Sequence, residues 1–218
     1  MTLGVVFPGQ GSQRVGMLSE AAGAYPVVQA TFTEASDALG YDLWSLVSED
    51  PLERLGLTEF TQPAILTASV ALYRACVAEH QISPIAAAGH SLGEYSALVA
   101  AGVLSLADGA TLVSKRGAAM QKAVPVGEGG MAAVLGLEDA VVSQVCDAIS
   151  TPDAFVGGVN FNAPGQVVIA GDAKVVAAAV SALKEAGARR AMPLPVSAPF
   201  HTPLMQPAAV VMADAFDG

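Results

Sequence analysis

Apolar positions in the first part of the chain fall into two short continuous runs separated by longer stretches at helical spacing. Leu3 to Phe7 is a strand-like run that ends at Pro8-Gly9-Gln10-Gly11, and Ile85 to Gly89 is a second one leading into an apolar helical stretch from Leu92 to Ala101. Between them the spacing predicts helices at about 25–38 and 64–80, the latter starting after the stop signal Gln62-Pro63. Strands that feed helices indicate α/β organisation. Only two strands are visible in this part, and a two-stranded sheet is not expected to be stable alone. Either further strands are hidden in the pattern, or the chain lacks part of its own sheet.

The middle of the chain has a different rhythm. Met131 to Gly136 is a short apolar run, Glu138 to Ile149 has helical spacing, and Phe155 to Phe161 and Gln166 to Ala170 are β-rich. Asp172 to Ala186 is an Ala/Val helix and Ala188 to Leu194 is extended. The order is β-α-β-β-α-β, with Asn162-Ala163-Pro164-Gly165 as the turn between the central strands. A ferredoxin-like small subdomain is therefore expected over 125–198, entered through the glycine-rich hinge Pro125 to Gly130, and inserted into an α/β large subdomain made of 1–124 and 199–218. Charge follows the same division. Residues 1–114 hold three basic and eleven acidic side chains, 115–190 hold seven of each, and 191–218 hold none and two.

Composition removes several classes of function. With 53% hydrophobic and 14% charged residues over 218 positions, and a mean hydropathy of +0.51, the chain is not intrinsically disordered. A net charge of −10 is the opposite of what binding a phosphate backbone requires, so no nucleic-acid partner is expected. The longest stretch without Asp, Glu, Lys or Arg, Ala191 to Ala213, contains Pro193, Pro195, Pro199, Pro203 and Pro207 and cannot be a continuous helix in lipid. No membrane span and no signal peptide are expected. Cys76 and Cys146 form no CxxC pair or disulfide framework, so a cytoplasmic location follows, and both are read as core or half-buried thiols. No metal-ligand cluster is visible.

The chemistry concentrates at Gly89-His90-Ser91-Leu92-Gly93, a G-x-S-x-G pattern where a strand meets an apolar helix. Small flanking residues allow a sharp turn that projects the Ser91 hydroxyl at a helix N-terminus, where the next backbone N–H can meet a developing oxyanion. The bland alternative is that Ser91 merely caps the helix. A serine nucleophile needs a base, and there are three histidines. His90 should point to the opposite face of the strand from Ser91, and His80 sits beside Glu79 and Gln81 at a solvated helix end. His201 remains, in the proline-rich loop Pro199-Phe200-His201-Thr202-Pro203, although a packing role for it is open on sequence alone. Gly9-Gln10-Gly11 could belong to a nucleotide loop, but Arg14 stands where the third glycine would be. Taken alone, Arg116 beside Lys115 reads as a solvated helix charge, and Met120, Met131 and Met205 read as packing.

Several segments together carry a family resemblance: Phe7-Pro8-Gly9-Gln10-Gly11-Ser12-Gln13, Gln62-Pro63-Ala64, the block from Gly89 to Gly102, Lys115-Arg116-Gly117 with Met120-Gln121, Asn160 to Gln166, and Ser197 to Met205. Over its whole length the chain resembles malonyl-CoA:acyl carrier protein transacylases of fatty-acid and polyketide synthesis. The resemblance implies a hydrolase-like α/β large subdomain with the ferredoxin-like insert. It also implies ping-pong transfer of malonyl from malonyl-CoA to the phosphopantetheine thiol of acyl carrier protein, without a metal or redox cofactor. Ser91 is then the nucleophile and His201 its base. Backbone N–H groups of Gln10 and Leu92 form the oxyanion hole, Arg116 binds the malonyl carboxylate, and Gln62 and Phe200 contribute to the substrate site. In related acyltransferases the residues at Leu92 and Phe200 separate malonyl from methylmalonyl enzymes, and both are of the malonyl type here. A bulky Phe200 would disfavour an α-methyl branch by about 1–3 kcal/mol.

Carrier proteins of this pathway are acidic, which directs docking to the neutral segment beside the insert, through Lys115, Lys122, Lys174, Lys184, Arg189 and Arg190. Family members also continue past Asp217-Gly218 with further strands, a Gly-Pro-Gly segment near the nucleophile and the group that orients the histidine. The chain is expected to lack that part, and to be a monomer unless a second chain completes it. Two other classes stay open: a serine acyl-thioester hydrolase, which has no need of Arg116, and an inactive module that binds acyl-CoA or carrier protein.

Overall fold

A computed structural model describes residues 2–196 and 198–217. Ser197, assigned above to the start of the histidine loop, lies outside the described residues. The chain divides into two compact units, Met1–Ala118 and Ala119–Gly218.

The first unit contains β1 (Gly4–Phe7), α1 (Ser19–Ala24), α2 (Pro26–Leu39), α3 (Leu43–Ser48), α4 (Thr58–His80), β2 (Ala86–Gly89), α5 (Gly93–Ala100) and most of α6 (Leu106–Lys122). The two apolar runs become a parallel pair, in register from Gly4 opposite Ala86 to Phe7 opposite Gly89. They are the only members of their sheet among the described residues. Val6, and Ile85 just before β2, are 83% and 75% exposed, so no helix among the described residues covers their side chains, and of the two strands only Phe7 is buried. Phe32, Leu43, Leu66, Leu92 and Leu106 centre a helical core that α4 threads.

The start of α4 differs from the expectation. Gln62-Pro63 does not begin the helix; it lies in the second turn, and the helix starts at Thr58. A proline there removes one backbone bond and crowds the preceding turn, at about 3 kcal/mol. Gln62, Ala64, Ile65 and Leu66 around it are all buried, and burying the side chains of Ile65 and Leu66 contributes roughly 1.5–3 kcal/mol each. The Thr61 hydroxyl also donates to the Leu57 carbonyl at 3.0 Å, tying the first turn together. Tertiary burial thus outweighs the local stop signal.

The second unit contains β3 (Gly129–Leu135), α7 (Asp139–Ile149), β4 (Val156–Ala163), β5 (Gln166–Asp172), α8 (Ala173–Glu185), β6 (Arg190–Pro193), a short 3-10 turn at Pro203–Met205 and α9 (Gln206–Asp217). Its sheet has the order β4-β5-β3-β6 with antiparallel neighbours, the ferredoxin-like arrangement expected from the β-α-β-β-α-β pattern. Side-chain alternation sorts its two faces. Ala132, Val134, Val167 and Ile169 meet Val142, Cys146, Val176 and Leu183 of α7 and α8. Met131 and Ala170 pack on the other side with Met120, Val124, Ala198, Phe200, Met205 and Ala208. The hairpin turn is tighter than expected, because β4 runs on through an irregular register to Ala163 and leaves only Pro164-Gly165, with Gly165 at φ 70°. No helix among the described residues is long and apolar enough to cross a membrane.

Candidate active site

Four close backbone approaches build the turn around Ser91. A Cβ at Gly89 would overlap the backbone of Gly93 and Glu94, and one at Gly93 would overlap the Phe7 carbonyl and lie 2.9 Å from the Pro8 oxygen. One at Gly9 would lie 2.6 Å from the His90 carbonyl oxygen, so β1's loop and the elbow can touch only through glycine. The His90 N–H donates to the Phe7 carbonyl at 3.0 Å and ties the turn to the end of β1. Ser91 itself has φ 53°, a left-handed conformation that a non-glycine residue adopts at an energetic penalty. The helix N-cap is Leu92, without a side-chain capping bond. Ser91 is therefore not the cap of α5, and its hydroxyl projects from a strained strand-to-helix elbow.

What meets that hydroxyl is Arg116. Its Nη2 donates to Ser91 Oγ at 3.2 Å and its Nη1 to Gln62 Oε1 at 2.9 Å. Gln62 is 1% exposed, so it is a fixed acceptor on α4 rather than a surface amide. The guanidinium carbon lies 5.7 Å from the centroid of the Tyr95 ring. Burial pulls the Arg116 pKa below its usual range, and Tyr95 acts in the opposite direction. Burial likewise raises the Tyr95 hydroxyl, against a lowering by Arg116. The solvated helix charge suggested by Arg116's position beside Lys115 is thus overturned. Lys115 is exposed, whereas Arg116 turns inward because Gly117 lets α6 approach the start of α4, where a Cβ would lie 2.5 Å from the Thr58 oxygen.

Gln10 is fixed by its side chain, whose Nε2 donates to the buried Thr58 Oγ1 at 3.2 Å. Leu92 is 1% exposed and packs into the helical core, which anchors the backbone immediately after Ser91. Ser91, Gln62 and Arg116 are therefore in direct contact, and Gln10 is held from the same α4 terminus that Gly117 approaches. Tyr95 and Thr58 had not been singled out from the sequence. Tyr95's position one helical turn after Ser91 was the available signal.

His201 and Phe200 belong to the second unit. His201 is exposed at φ 63°. Its loop is fixed by Thr202 Oγ1 donating to the Pro199 carbonyl at 2.7 Å and by the Phe200 N–H on the Ala198 carbonyl at 3.0 Å. Phe200 is buried with Ala198, Met205 and Met131. His80 occupies the exposed last turn of α4. Lys115, Lys122, Lys174, Lys184, Arg189 and Arg190 are all exposed. Both cysteines are free, but Cys76 is exposed, against the expectation of a core or half-buried thiol, while Cys146 is buried. Cys76 lies on the side of α4 that borders an open apolar groove with Val5, Leu72 and Ile82. No cluster of three or more potential metal ligands occurs among the described residues.

A model of the acyl transferase domain matches residues 5–217. Malonyl CoA-acyl carrier protein transacylase of Escherichia coli K12 is 57% identical over 208 residues, which is 95% of this chain and 67% of the relative. The chain belongs to the malonyl-CoA:acyl carrier protein transacylase family. The Bacillus subtilis transacylase is 48% identical over 97% of this chain and 67% of its own length. Among solved structures, the transacylase of Coxiella burnetii superposes with a TM-score of 0.97 at 48% identity, covering 99% of this chain and 68% of that one. A malonyl-transacylase solved in complex with a type II PKS acyl-carrier protein gives 0.96 at 50% identity, over 100% of this chain and 70% of that one. The fold is accordingly the hydrolase-like α/β architecture with a ferredoxin-like subdomain that the motifs implied.

Proposed function

We propose that the chain transfers a malonyl group from malonyl-CoA to the phosphopantetheine thiol of an acyl carrier protein, in fatty-acid biosynthesis, by way of a malonyl ester on Ser91. Ser91 Oγ attacks the thioester carbonyl while the His201 imidazole takes its proton. The carbonyl oxygen becomes an oxyanion that accepts from the backbone N–H groups of Gln10 and Leu92, each such donor being worth about 2.7–4 kcal/mol of barrier. Collapse expels the CoA thiolate, which takes the proton from the imidazolium. The carrier's thiol then gives its proton to the imidazole and attacks the ester, and Ser91 leaves protonated. The net change is one thioester for another, which is neither a redox nor a hydrolytic step, so it calls for no cofactor beyond the two thiol carriers. Phe200 limits the space for an α-methyl branch.

The observation that carries this reading is the 3.2 Å contact between Arg116 and the nucleophile. A half-buried guanidinium, braced by Gln62, supplies two parallel donors for a carboxylate at the place where an acyl group would be bound. Hydrolysis of a simple acyl thioester gains nothing from such a charge. The exposed cations Lys115, Lys122, Lys174, Lys184, Arg189 and Arg190 are assigned to carrier docking, and the cytoplasm is the compartment this chemistry and the free thiols fit. The test is partition: with radiolabelled malonyl-CoA, label should accumulate on holo-carrier thiol rather than as free malonate. Arg189→Glu with Arg190→Glu should raise KM for the carrier and leave that for malonyl-CoA unchanged. Release of malonate at the same rate with and without carrier would overturn the transferase reading in favour of a hydrolase.

A further inference from the structure

Arg116 donates from Nη2 to Ser91 Oγ and from Nη1 to Gln62 Oε1. A third group lies against its guanidinium. Tyr95 lies on α5 one turn after Ser91, half-buried against the helical core, with its ring 5.7 Å from the guanidinium carbon. Its own backbone is tied to the elbow, because the Tyr95 N–H donates to the Leu92 carbonyl at 3.0 Å. The ring and the nucleophile therefore ride on the same rigid turn, while Arg116 comes from a different helix.

We propose that Tyr95 is a positioning residue for malonyl recognition: its ring holds the Arg116 guanidinium in register with Ser91, so that selection for a carboxylate-bearing acyl group is set by the same turn that presents the nucleophile. This rests on the assignment of Arg116 to the malonyl carboxylate. A cation over an aromatic face is attracted by the ring quadrupole, and the attraction grows when the pair is shielded from water. The face also offers no acceptor, so it orients the guanidinium without competing for the donors that the carboxylate needs. Removing the ring frees a long side chain to sample other rotamers, and that freedom must be lost again when malonyl binds. The opposing influences of burial and Tyr95 on the Arg116 pKa are in keeping with this arrangement.

The test compares Tyr95→Leu, Tyr95→Phe, Arg116→Ala and the Tyr95→Leu/Arg116→Ala pair, with Ser91 loading from malonyl-CoA and from acetyl-CoA followed by intact mass. Thermal unfolding of each variant confirms folding. Acetyl has no carboxylate, so the ratio of malonyl to acetyl loading isolates Arg116's contribution from general damage to the elbow. Tyr95→Leu should lower that ratio by about tenfold, within the range a partly desolvated cation–ring contact supports. Tyr95→Phe, which keeps the ring and loses the hydroxyl, should restore it. Tyr95→Leu should lower the ratio no further once Arg116 is already Ala. A ratio unmoved by Tyr95→Leu while Arg116→Ala collapses it would overturn the role of Tyr95 alone. A ratio unmoved by Arg116→Ala would overturn the carboxylate assignment and this proposal with it. Should Tyr95→Leu fail to fold, Tyr95→Met takes its place: it keeps apolar bulk without a ring and should lower the ratio likewise, and an unmoved ratio would refute the ring's role.

Discussion

The backbone of Ser91 offers a test that needs no substrate. At φ 53° the backbone is in the left-handed region, where a residue with a Cβ carries a steric penalty that glycine does not. Replacing Ser91 by Ala removes the hydroxyl and its 3.2 Å contact with Arg116 but keeps the Cβ, whereas Ser91→Gly removes both. The difference between the two variants therefore isolates the backbone. The left-handed conformation costs roughly 1–2 kcal/mol for an L residue, and glycine's greater freedom in the unfolded chain offsets part of this, by about 0.4–1 kcal/mol. Ser91→Gly should thus be more stable than Ser91→Ala by about 1 kcal/mol, or roughly 3–5 °C in Tm for a unit of this size. The control is Lys115, exposed in the interior of α6, where the same pair of substitutions should have the opposite sign because glycine is the poorer helix former by about 1 kcal/mol. Melting curves of the four variants by circular dichroism are sufficient. Ser91→Ala as stable as Ser91→Gly would refute the strained elbow.

Gly93→Ala should be damaging in another way, since its Cβ would overlap the Phe7 carbonyl and lie 2.9 Å from the Phe7 carbon and the Pro8 oxygen. Relief requires α5 to move away from β1, with an overpacking penalty of about 1–3 kcal/mol and a shift of Ser91 that, on the proposed function, should slow its acylation on the order of a hundredfold. Wild-type acylation kinetics in Gly93→Ala would show that the close approach is dispensable. With a thiol reagent at pH 8, Cys76 should react in the native protein and Cys146 only after unfolding, since Cys146 is buried and its pKa is pushed up to about 11. Two fast-reacting thiols, read by mass, would contradict that burial. A raised thiol pKa means that the folded state holds its proton more tightly than the unfolded one. Stability should accordingly fall as pH rises from about 9 through 11. Cys146→Ala should remove that part of the decline, measured as unfolding midpoint against pH.

Much of this arrangement could be read from the chain itself. The strand-to-helix context and the two glycines of G-x-S-x-G are enough to expect an elbow, because the chain reversal imposes the close approaches now seen at Gly89 and Gly93. The insert was legible because its strands alternate and its two helices are amphipathic, so each element announces which face it buries. The two-stranded β1–β2 sheet also followed from pattern. Positions set by tertiary packing were not legible. Pro63 masks the weak local start signal of Thr58 and Glu59, and the burial of the whole turn decides the start. Nothing local distinguishes Arg116 from Lys115, and the inward choice depends on Gly117 meeting Thr58 across a separation that no window along the chain contains. Cys76 misled for the reverse reason, since apolar neighbours in α4 suggest burial while that side of the helix borders an open groove.

The central claim, that Ser91 accepts a malonyl group beside Arg116, is tested most directly by incubating the chain with malonyl-CoA in the absence of carrier and measuring intact mass, with Ser91→Ala alongside. The expected result is a gain of one malonyl group on the chain and none on Ser91→Ala. An unmodified mass in a folded sample, or equal modification of both proteins, would contradict it.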